Sequence, residues 1–132
     1  MSHREQQAFL ELVAWANKDL VAGAKVVEIG SYDVNGSMRD LFAAAGSYIG
    51  VDLTPGPGVD LVGYGHEVDL PDGSVDITLS RDCLEHDPYW EKTFANMLRM
   101  TRPGGVVAFT CAGRGFPEYC TQVTEPTDSP GT

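Results

Sequence analysis

The N-terminal segment has the hydrophobic spacing of an α-helix. A Ser-x-x-Glu capping-box pattern opens it, and apolar residues then recur every three or four positions up to a glycine. The positions are Ser2 and Glu5 for the capping box, Phe9, Val13, Ala16 and Leu20 for the apolar face, and Gly23 for the C-terminal stop. The pattern predicts one helix that turns this apolar face toward the core.

Apolar runs and helical segments alternate along the rest of the chain. The predicted strands cover residues 25–30, 48–52, 59–62, 75–80 and 106–110. One predicted helix ends at Gly46 and has its apolar positions at Met38, Leu41, Phe42 and Ala45. Another begins at Asp87-Pro88 and ends before Pro103. Its predicted buried residues are Trp90, Phe94 and either Met97 or Leu98. Gly104-Gly105 is predicted to turn the chain into the last strand. This alternation favours an α/β fold with a parallel sheet and right-handed crossovers.

Length and charge narrow the class of protein. A chain of 132 residues, 42% hydrophobic and 21% charged, suits one globular domain. Its formal net charge of −10 repels a phosphate backbone and no Lys/Arg cluster offsets it, so we expect no nucleic-acid partner. No apolar run approaches the roughly 20 residues of a membrane-spanning helix, and the charged N-terminus does not match a signal peptide. We therefore predict a cytoplasmic protein without a membrane partner.

The cysteines predict neither a disulfide framework nor a metal site. Cys83, Cys111 and Cys120 are odd in number and lack C-x-x-C spacing. We expect three free thiols, with Cys83 and Cys111 in or near the core.

Candidate chemistry lies at the carboxyl ends of the predicted strands, where parallel α/β sheets bind ligands. Gly30 and Gly36 flank the turn after the first strand, where a plain strand-to-helix turn is the alternative interpretation. Tyr32 and Asn35 stand where a G-x-G-x-x-G dinucleotide motif needs glycines. Asp52 ends the second strand 22 residues after Gly30, at the spacing of an acid that binds ribose hydroxyls, although a capping role is the alternative.

Two further clusters follow the third and fourth strands. Tyr64 in the segment 63–66 could lie against an adenine ring, whereas His66 is equally well explained as an ordinary loop residue. Ionisable residues crowd the segment 80–87, where we interpret Asp82 and Glu85 as surface charges beside a helix-capping aspartate.

Together, these segments resemble class I S-adenosylmethionine-dependent methyltransferases, particularly the small-molecule type 11 group. The matching stretches are 26–31 (VVEIGS), 48–53 (YIGVDL), 70–76 (LPDGSVD), 84–86 (LEH) and 102–105 (RPGG), within a resemblance that runs from about Lys25 to Cys111. The resemblance implies a Rossmann-like sheet of about five parallel strands in the order 3-2-1-4-5, with helices on both faces. It also implies S-adenosyl-L-methionine as cofactor and a small-molecule methyl acceptor.

The resemblance also implies roles for individual residues. Glu28 and Gly30 would lie near the methionine part of the cofactor, and the backbone near Ser80 and Arg81 would hold its methionine end. Asp52 would bind the ribose. Leu53 would pack on the adenine, and the Gly65-His66 segment would face the adenine edge. Ser31, Tyr32, Gly36 and Tyr64 complete the predicted cofactor-binding set. His86 is the candidate catalytic base where the acceptor must lose a proton, and a structural or substrate-positioning role is the alternative.

The sequence also departs from this family pattern. Tyr32 replaces a second glycine, the turn is about two residues longer, and Tyr64 replaces an acid that often meets the adenine amino group. We predict a cofactor-binding domain over residues 1–111 and an irregular tail over 112–132, without the further helix and strands that complete members add. The edge of strand five would then be exposed, which natural proteins usually avoid. Three interpretations are open: the chain is a fragment, which we favour; the tail covers the edge; or another chain covers it, as in a homodimer.

Three functions are compatible with these patterns. The first is a methyltransferase acting on a small molecule. The second is a truncated, non-catalytic module of the same fold that binds the cofactor or a partner. The third, an NAD-dependent oxidoreductase, is disfavoured because the G-x-G-x-x-G motif is absent.

Overall fold

All five predicted strands are present and run parallel in one sheet. The computed structural model describes residues 3–33, 38–81 and 83–111. The strands are β1 (Lys25–Ile29), β2 (Ser47–Asp52), β3 (Leu61–Val62), β4 (Val75–Arg81) and β5 (Thr101–Thr110). The α-helices are α1 (His3–Ala16), α2 (Lys18–Val21) and α3 (Trp90–Met100), and 3₁₀ turns cover Met38–Phe42, Gly65–Glu67 and Leu84–His86. The spatial order β3-β2-β1-β4-β5 confirms the predicted Rossmann-like topology.

The sheet is buried on both faces by separate apolar clusters. On one face, α1, α2 and the Met38–Phe42 turn pack with alternate strand residues such as Val26 and Ile77. On the other face, Met97 and Met100 of α3 pack against Val27 and Val75. Because successive strand residues point to opposite faces, both faces of the central strands need apolar side chains.

The N-terminal helix differs from its prediction. It is interrupted at Asn17, whose side-chain amide donates a hydrogen bond to the Val13 carbonyl at 2.8 Å. The core receives Leu10 and Val21, whereas Phe9 is 38% exposed. Val13 and Leu20 of the predicted apolar face pack against the core, whereas Phe9 and Ala16 are exposed. The predicted face was therefore wrong at Phe9 and Ala16 and missed Leu10 and Val21, because the helix is interrupted at Asn17. The predicted cap at Ser2 lies outside the described residues.

Later boundaries also differ from the sequence prediction. The second helix is a short 3₁₀ turn (Met38–Phe42) rather than a helix reaching Gly46, and β3 is two residues long. In α3, Met97 is buried while Leu98 is 52% exposed, which settles that alternative.

Strand β5 begins at Thr101, five residues earlier than predicted. The register passes from Val75↔Thr101 to Ile77↔Val106, so residues 102–105 of β5 lie opposite Asp76 alone. This irregularity, a bulge of three extra residues that contains Gly104 at a φ of +83°, stands where a turn was expected at Gly104-Gly105. Among the described residues, β5 pairs only with β4, and the predicted homodimer through its other edge stays a prediction. The predicted tail, residues 112–132, lies outside the described residues. Within the described ranges, no helix has both the length and the apolar character needed to cross a membrane.

Candidate functional site

A cavity of about 250 Å³ opens at the carboxyl ends of the strands. Its lining is Ile29, Gly30, Val51, Asp52, Leu53, Gly63, Tyr64, Gly65, Arg81, Cys83, His86, Asp87 and Pro88. These residues end β1, β2, β3 and β4 or follow them directly, so four strands deliver their last residues to one place. This is the edge at which parallel α/β sheets bind ligands.

Most of the predicted site residues that the structure describes meet in this cavity. The lining contains Gly30, Asp52, Leu53, Tyr64, Gly65, Arg81 and the catalytic candidate His86. Glu28, Ser31, Tyr32, His66 and Ser80 do not belong to the lining, and Gly36 lies outside the described residues. The cofactor roles of these residues stay predictions.

Part of the lining was not predicted. Ile29 and Val51 are each the neighbour of an identified residue at a strand end, and that position alone could have found them. Cys83 lies in the charged segment 80–87 and Pro88 at the predicted helix start, but only the path of the chain after β4 shows that both reach the cavity.

Gly30 is required by the geometry of the turn after β1. Its φ is +83°, which favours glycine, and its amide donates to the Val51 carbonyl at 2.7 Å. A Cβ at this position would lie 2.7 Å from Cys83 Cβ and 2.9 Å from Cys83 Sγ. The turn after β1 therefore lies so close to Cys83 that only a glycine fits at position 30.

Asp52 is held by backbone amides at the rim of the cavity. Its Oδ2 accepts a hydrogen bond from the Tyr32 N–H at 3.0 Å, and its Oδ1 accepts one from the Thr54 N–H at 3.1 Å. The carboxylate thus joins the turn after β1 to the loop after β2 and still faces the cavity.

The same two loops also pack directly on each other. The Asp33 N–H donates to the Pro57 carbonyl at 2.9 Å, and a Cβ at Gly56 would lie 2.4 Å from Cε2 of the Tyr32 ring. Tyr32, which departs from the family pattern, therefore contacts the Pro- and Gly-rich loop after β2.

Asp87 supports the cavity from the start of α3. Its Oδ1 accepts the Tyr89 N–H at 2.7 Å, and its other oxygen accepts the Thr93 hydroxyl. The predicted cap at Asp87 with Pro88 in the first helical position was wrong, because the helix begins at Trp90 and its N-cap is Tyr89; Asp87 instead holds the turn that precedes the helix.

Glu28 lies in the core rather than in the cavity. Only 4% exposed, it accepts a hydrogen bond at 2.7 Å from the hydroxyl of Tyr48, a residue packed on the α1 side of the sheet. Burial raises the pKa of Glu28 to about 7, against the opposing effects of the Tyr48 hydrogen bond and of Arg81 and Arg39. The carboxyl group therefore keeps its proton to a higher pH than an exposed glutamate does.

His86 and Glu85 are adjacent in the Leu84–His86 turn and differ in exposure. The His86 Nε2 lies 3.4 Å from the Glu85 Oε1, and the His86 side chain is 38% exposed while that of Glu85 is 5% exposed. The interpretation of Glu85 as a surface charge was therefore wrong, because the turn directs it inward. Asp82, interpreted in the same way, lies outside the described residues.

The sequence matches the family model for a methyltransferase domain over residues 27–109, more than half of the chain. The chain belongs to the methyltransferase domain family. It is 37% identical over 108 residues to an uncharacterized methyltransferase of Mycobacterium ulcerans, covering 72% of this chain and 42% of that protein. It is 31% identical over 122 residues to a ubiquinone biosynthesis O-methyltransferase of Aromatoleum aromaticum, covering 80% of this chain and 51% of that protein.

A solved structure shares the fold of this methyltransferase domain. A candidate sarcosine dimethylglycine methyltransferase of Galdieria sulphuraria superposes with a TM-score of 0.66 at 23% identity, covering 82% of this chain and 46% of that one. The domain spans about half the length of these proteins, or less.

The Cys83 thiol is not poised for nucleophilic chemistry. Neither Cys83 nor Cys111 forms a disulfide, as predicted, and Cys120 lies outside the described residues. Burial raises the pKa of the Cys83 thiol to about 12, so it is protonated at neutral pH. In the described part of the chain, no group of three His, Cys, Asp or Glu side chains is arranged to hold a metal ion.

Proposed function

We propose that this methyltransferase domain binds S-adenosyl-L-methionine in the strand-end cavity and passes the methyl group to a small-molecule acceptor. The observation that carries the proposal is the convergence of Gly30, Asp52 and Arg81, from three different strands, on one cavity. Family membership supports the reaction class, and the motifs at these strand ends support the cofactor.

The residues of the cavity suit the chemical parts of this cofactor. The Asp52 carboxylate would accept hydrogen bonds from the ribose hydroxyls, and the apolar side chains of Val51 and Leu53 would pack on the adenine. Gly30 leaves its backbone accessible because no side chain stands on it, and Arg81 would attract the methionine carboxylate.

Positioning is the main contribution that these residues would make to catalysis. Bound S-adenosyl-L-methionine would supply an electrophilic methyl group on a positively charged sulfur. The cavity would fix the direction of in-line transfer and exclude water. Where the acceptor must lose a proton, a ring nitrogen of His86 would accept it, and the nearby Glu85 carboxylate would stabilise the resulting imidazolium.

Charge and the relatives support a small-molecule acceptor. A chain of net charge −10 does not favour nucleic acid, and one relative is named for the biosynthesis of ubiquinone, a small molecule. The alternative function, a module that binds the cofactor without turnover, shares the same cavity.

A transfer assay separates the two functions. S-adenosyl-L-methionine with an isotopically labelled methyl group is incubated with the protein and pools of small amines, phenols and carboxylic acids. The enzyme hypothesis expects a labelled product and release of S-adenosylhomocysteine, and a fall of at least tenfold in rate for His86→Ala. Cofactor binding without label transfer to any pool would favour the binding module.

A further inference from the structure

A second cavity, of about 240 Å³, lies beside the first at the carboxyl ends of β4 and β5. Leu84, Glu85, Trp90, Phe94, Phe109 and Cys111 line it. The Phe94 and Phe109 rings meet edge to face, with centroids 5.4 Å apart. The cavity is therefore walled mainly by aromatic and aliphatic groups, with one carboxylate among them.

One short segment separates the two cavities. Cys83 and His86 line the strand-end cavity, while Leu84 and Glu85, between them in sequence, line the second. The His86 Nε2 and the Glu85 Oε1 are 3.4 Å apart, so the only titratable pair of this turn reaches toward both cavities. Only this short segment would separate a ligand in the second cavity from a ligand in the first.

The charge of the second cavity sets the kind of ligand that it favours. Glu85 is 5% exposed, so its carboxylate acts in a medium that screens charge weakly. Aromatic rings such as those of Trp90 and Phe94 attract cations at their faces. An ammonium group on an apolar body satisfies both parts of the lining, and a carboxylate or phosphate would be repelled.

We propose that the second cavity is the acceptor site and that it selects an acceptor with an ammonium group on an apolar or aromatic body. Glu85 is then a specificity-determining residue, which binds the ammonium group beside the strand-end cavity. This inference rests on the proposed function, because it places the acceptor next to the cofactor.

The test compares a cation with a neutral molecule of nearly the same shape. Benzylammonium and benzyl alcohol are titrated into the whole chain and followed by two-dimensional NMR. We expect benzylammonium to bind about tenfold more tightly than benzyl alcohol. In Glu85→Gln the preference should fall to within about twofold. In Glu91→Gln, which removes an exposed charge of the same type from the first turn of α3, it should persist.

A third variant keeps the test valid if Glu85→Gln does not fold. Phe109→Leu removes one ring of the wall, and because Phe109 is 39% exposed the fold should tolerate the change. Its binding of benzylammonium should weaken about threefold. Equal binding of the two probes by the wild-type chain, or an undiminished preference in folded Glu85→Gln, would overturn the inference.

The same samples separate this inference from the proposed function. They are also titrated with S-adenosylhomocysteine. Normal binding of S-adenosylhomocysteine without any preference for the amine contradicts the acceptor site alone. A Glu85-dependent preference without binding of S-adenosylhomocysteine supports a cation site and contradicts the cofactor assignment.

Discussion

Two carboxylates at neighbouring strands, Glu28 and Asp52, take opposite roles because of the direction in which each points. Asp52 ends β2 and reaches the cavity, where two backbone amides hold it. Glu28 precedes the end of β1 and lies in the core against Tyr48. The resemblance predicted both as ligands of the cofactor. Alternation along β1 groups Glu28 with Val26 on the α1 face, but the sequence does not decide which face borders the cavity, since both are apolar.

The raised pKa of Glu28 makes stability depend on pH. The folded chain binds the Glu28 proton more tightly than the unfolded chain does, because the pKa of Glu28 in the unfolded chain is near 4.5. The free-energy cost of burying the charged carboxylate is therefore absent at low pH and grows as pH rises through about 7. Glu28→Gln keeps an acceptor for the Tyr48 hydroxyl and removes this cost. Thermal unfolding should show the variant stabilised by up to about 3 kcal/mol at pH 8 and nearly unchanged at pH 4. A variant less stable than wild type at pH 8 would contradict this role.

Gly30→Ala tests the close approach between the turn after β1 and Cys83. The new methyl group would overlap the Cys83 side chain at a φ of +83°, so we expect a loss of about 1–3 kcal/mol in the free energy of unfolding. Gly63→Ala is the matched control, because a Cβ at Gly63 meets no atom within 4 Å. Denaturant titration should show the control within about 0.5 kcal/mol of wild type. Equal stability of the two variants would contradict the described packing.

At the scale of elements, the central strands could be predicted and the helix boundaries could not. The sequence shows short apolar segments at β1 and β2, and β4 alternates apolar with polar residues, as strands do. The helix is interrupted at Asn17, so local spacing identified the packed residues Val13 and Leu20 but missed the fully buried Leu10 and Val21. The start of β5 was missed because Gly104-Gly105 is typical of a turn, whereas pairing with β4 makes it a bulge.

Asp76 connects three elements near this bulge. It accepts the Lys25 N–H at 2.8 Å and the Arg102 Nε–H at 2.5 Å, and these two bonds lower the pKa of its carboxyl group. Stability from a lowered pKa is present above the unfolded value of about 3.8 and is lost as pH falls through the folded value. Asp76→Asn should therefore cost about 1 kcal/mol at pH 7 and less at pH 3. A cost that does not change between these pH values in urea titrations would contradict the contribution of this charge.

At the scale of the whole molecule, more of the sheet topology than of the candidate site could be predicted from the sequence. The family resemblance implied the strand order, and the rule that ligands bind at strand ends indicated the edge of the sheet at which the cavity lies. The direction in which individual side chains point could not be predicted from the sequence. The sequence showed that Glu85 lies in a charged segment, yet only the turn after β4 buries it beside a second cavity.

The most direct measurement is isothermal titration calorimetry of S-adenosylhomocysteine against the wild-type chain, Asp52→Asn and Asp69→Asn. Asp69 is exposed and outside both cavities, so its variant controls for the loss of one negative charge. We predict one-to-one binding by wild type and Asp69→Asn, and at least tenfold weaker binding by Asp52→Asn, because a hydrogen bond to a charged group contributes about 1.5–3 kcal/mol. Folded wild-type chain that does not bind S-adenosylhomocysteine, or equal affinity in all three proteins, would contradict the assignment of the strand-end cavity.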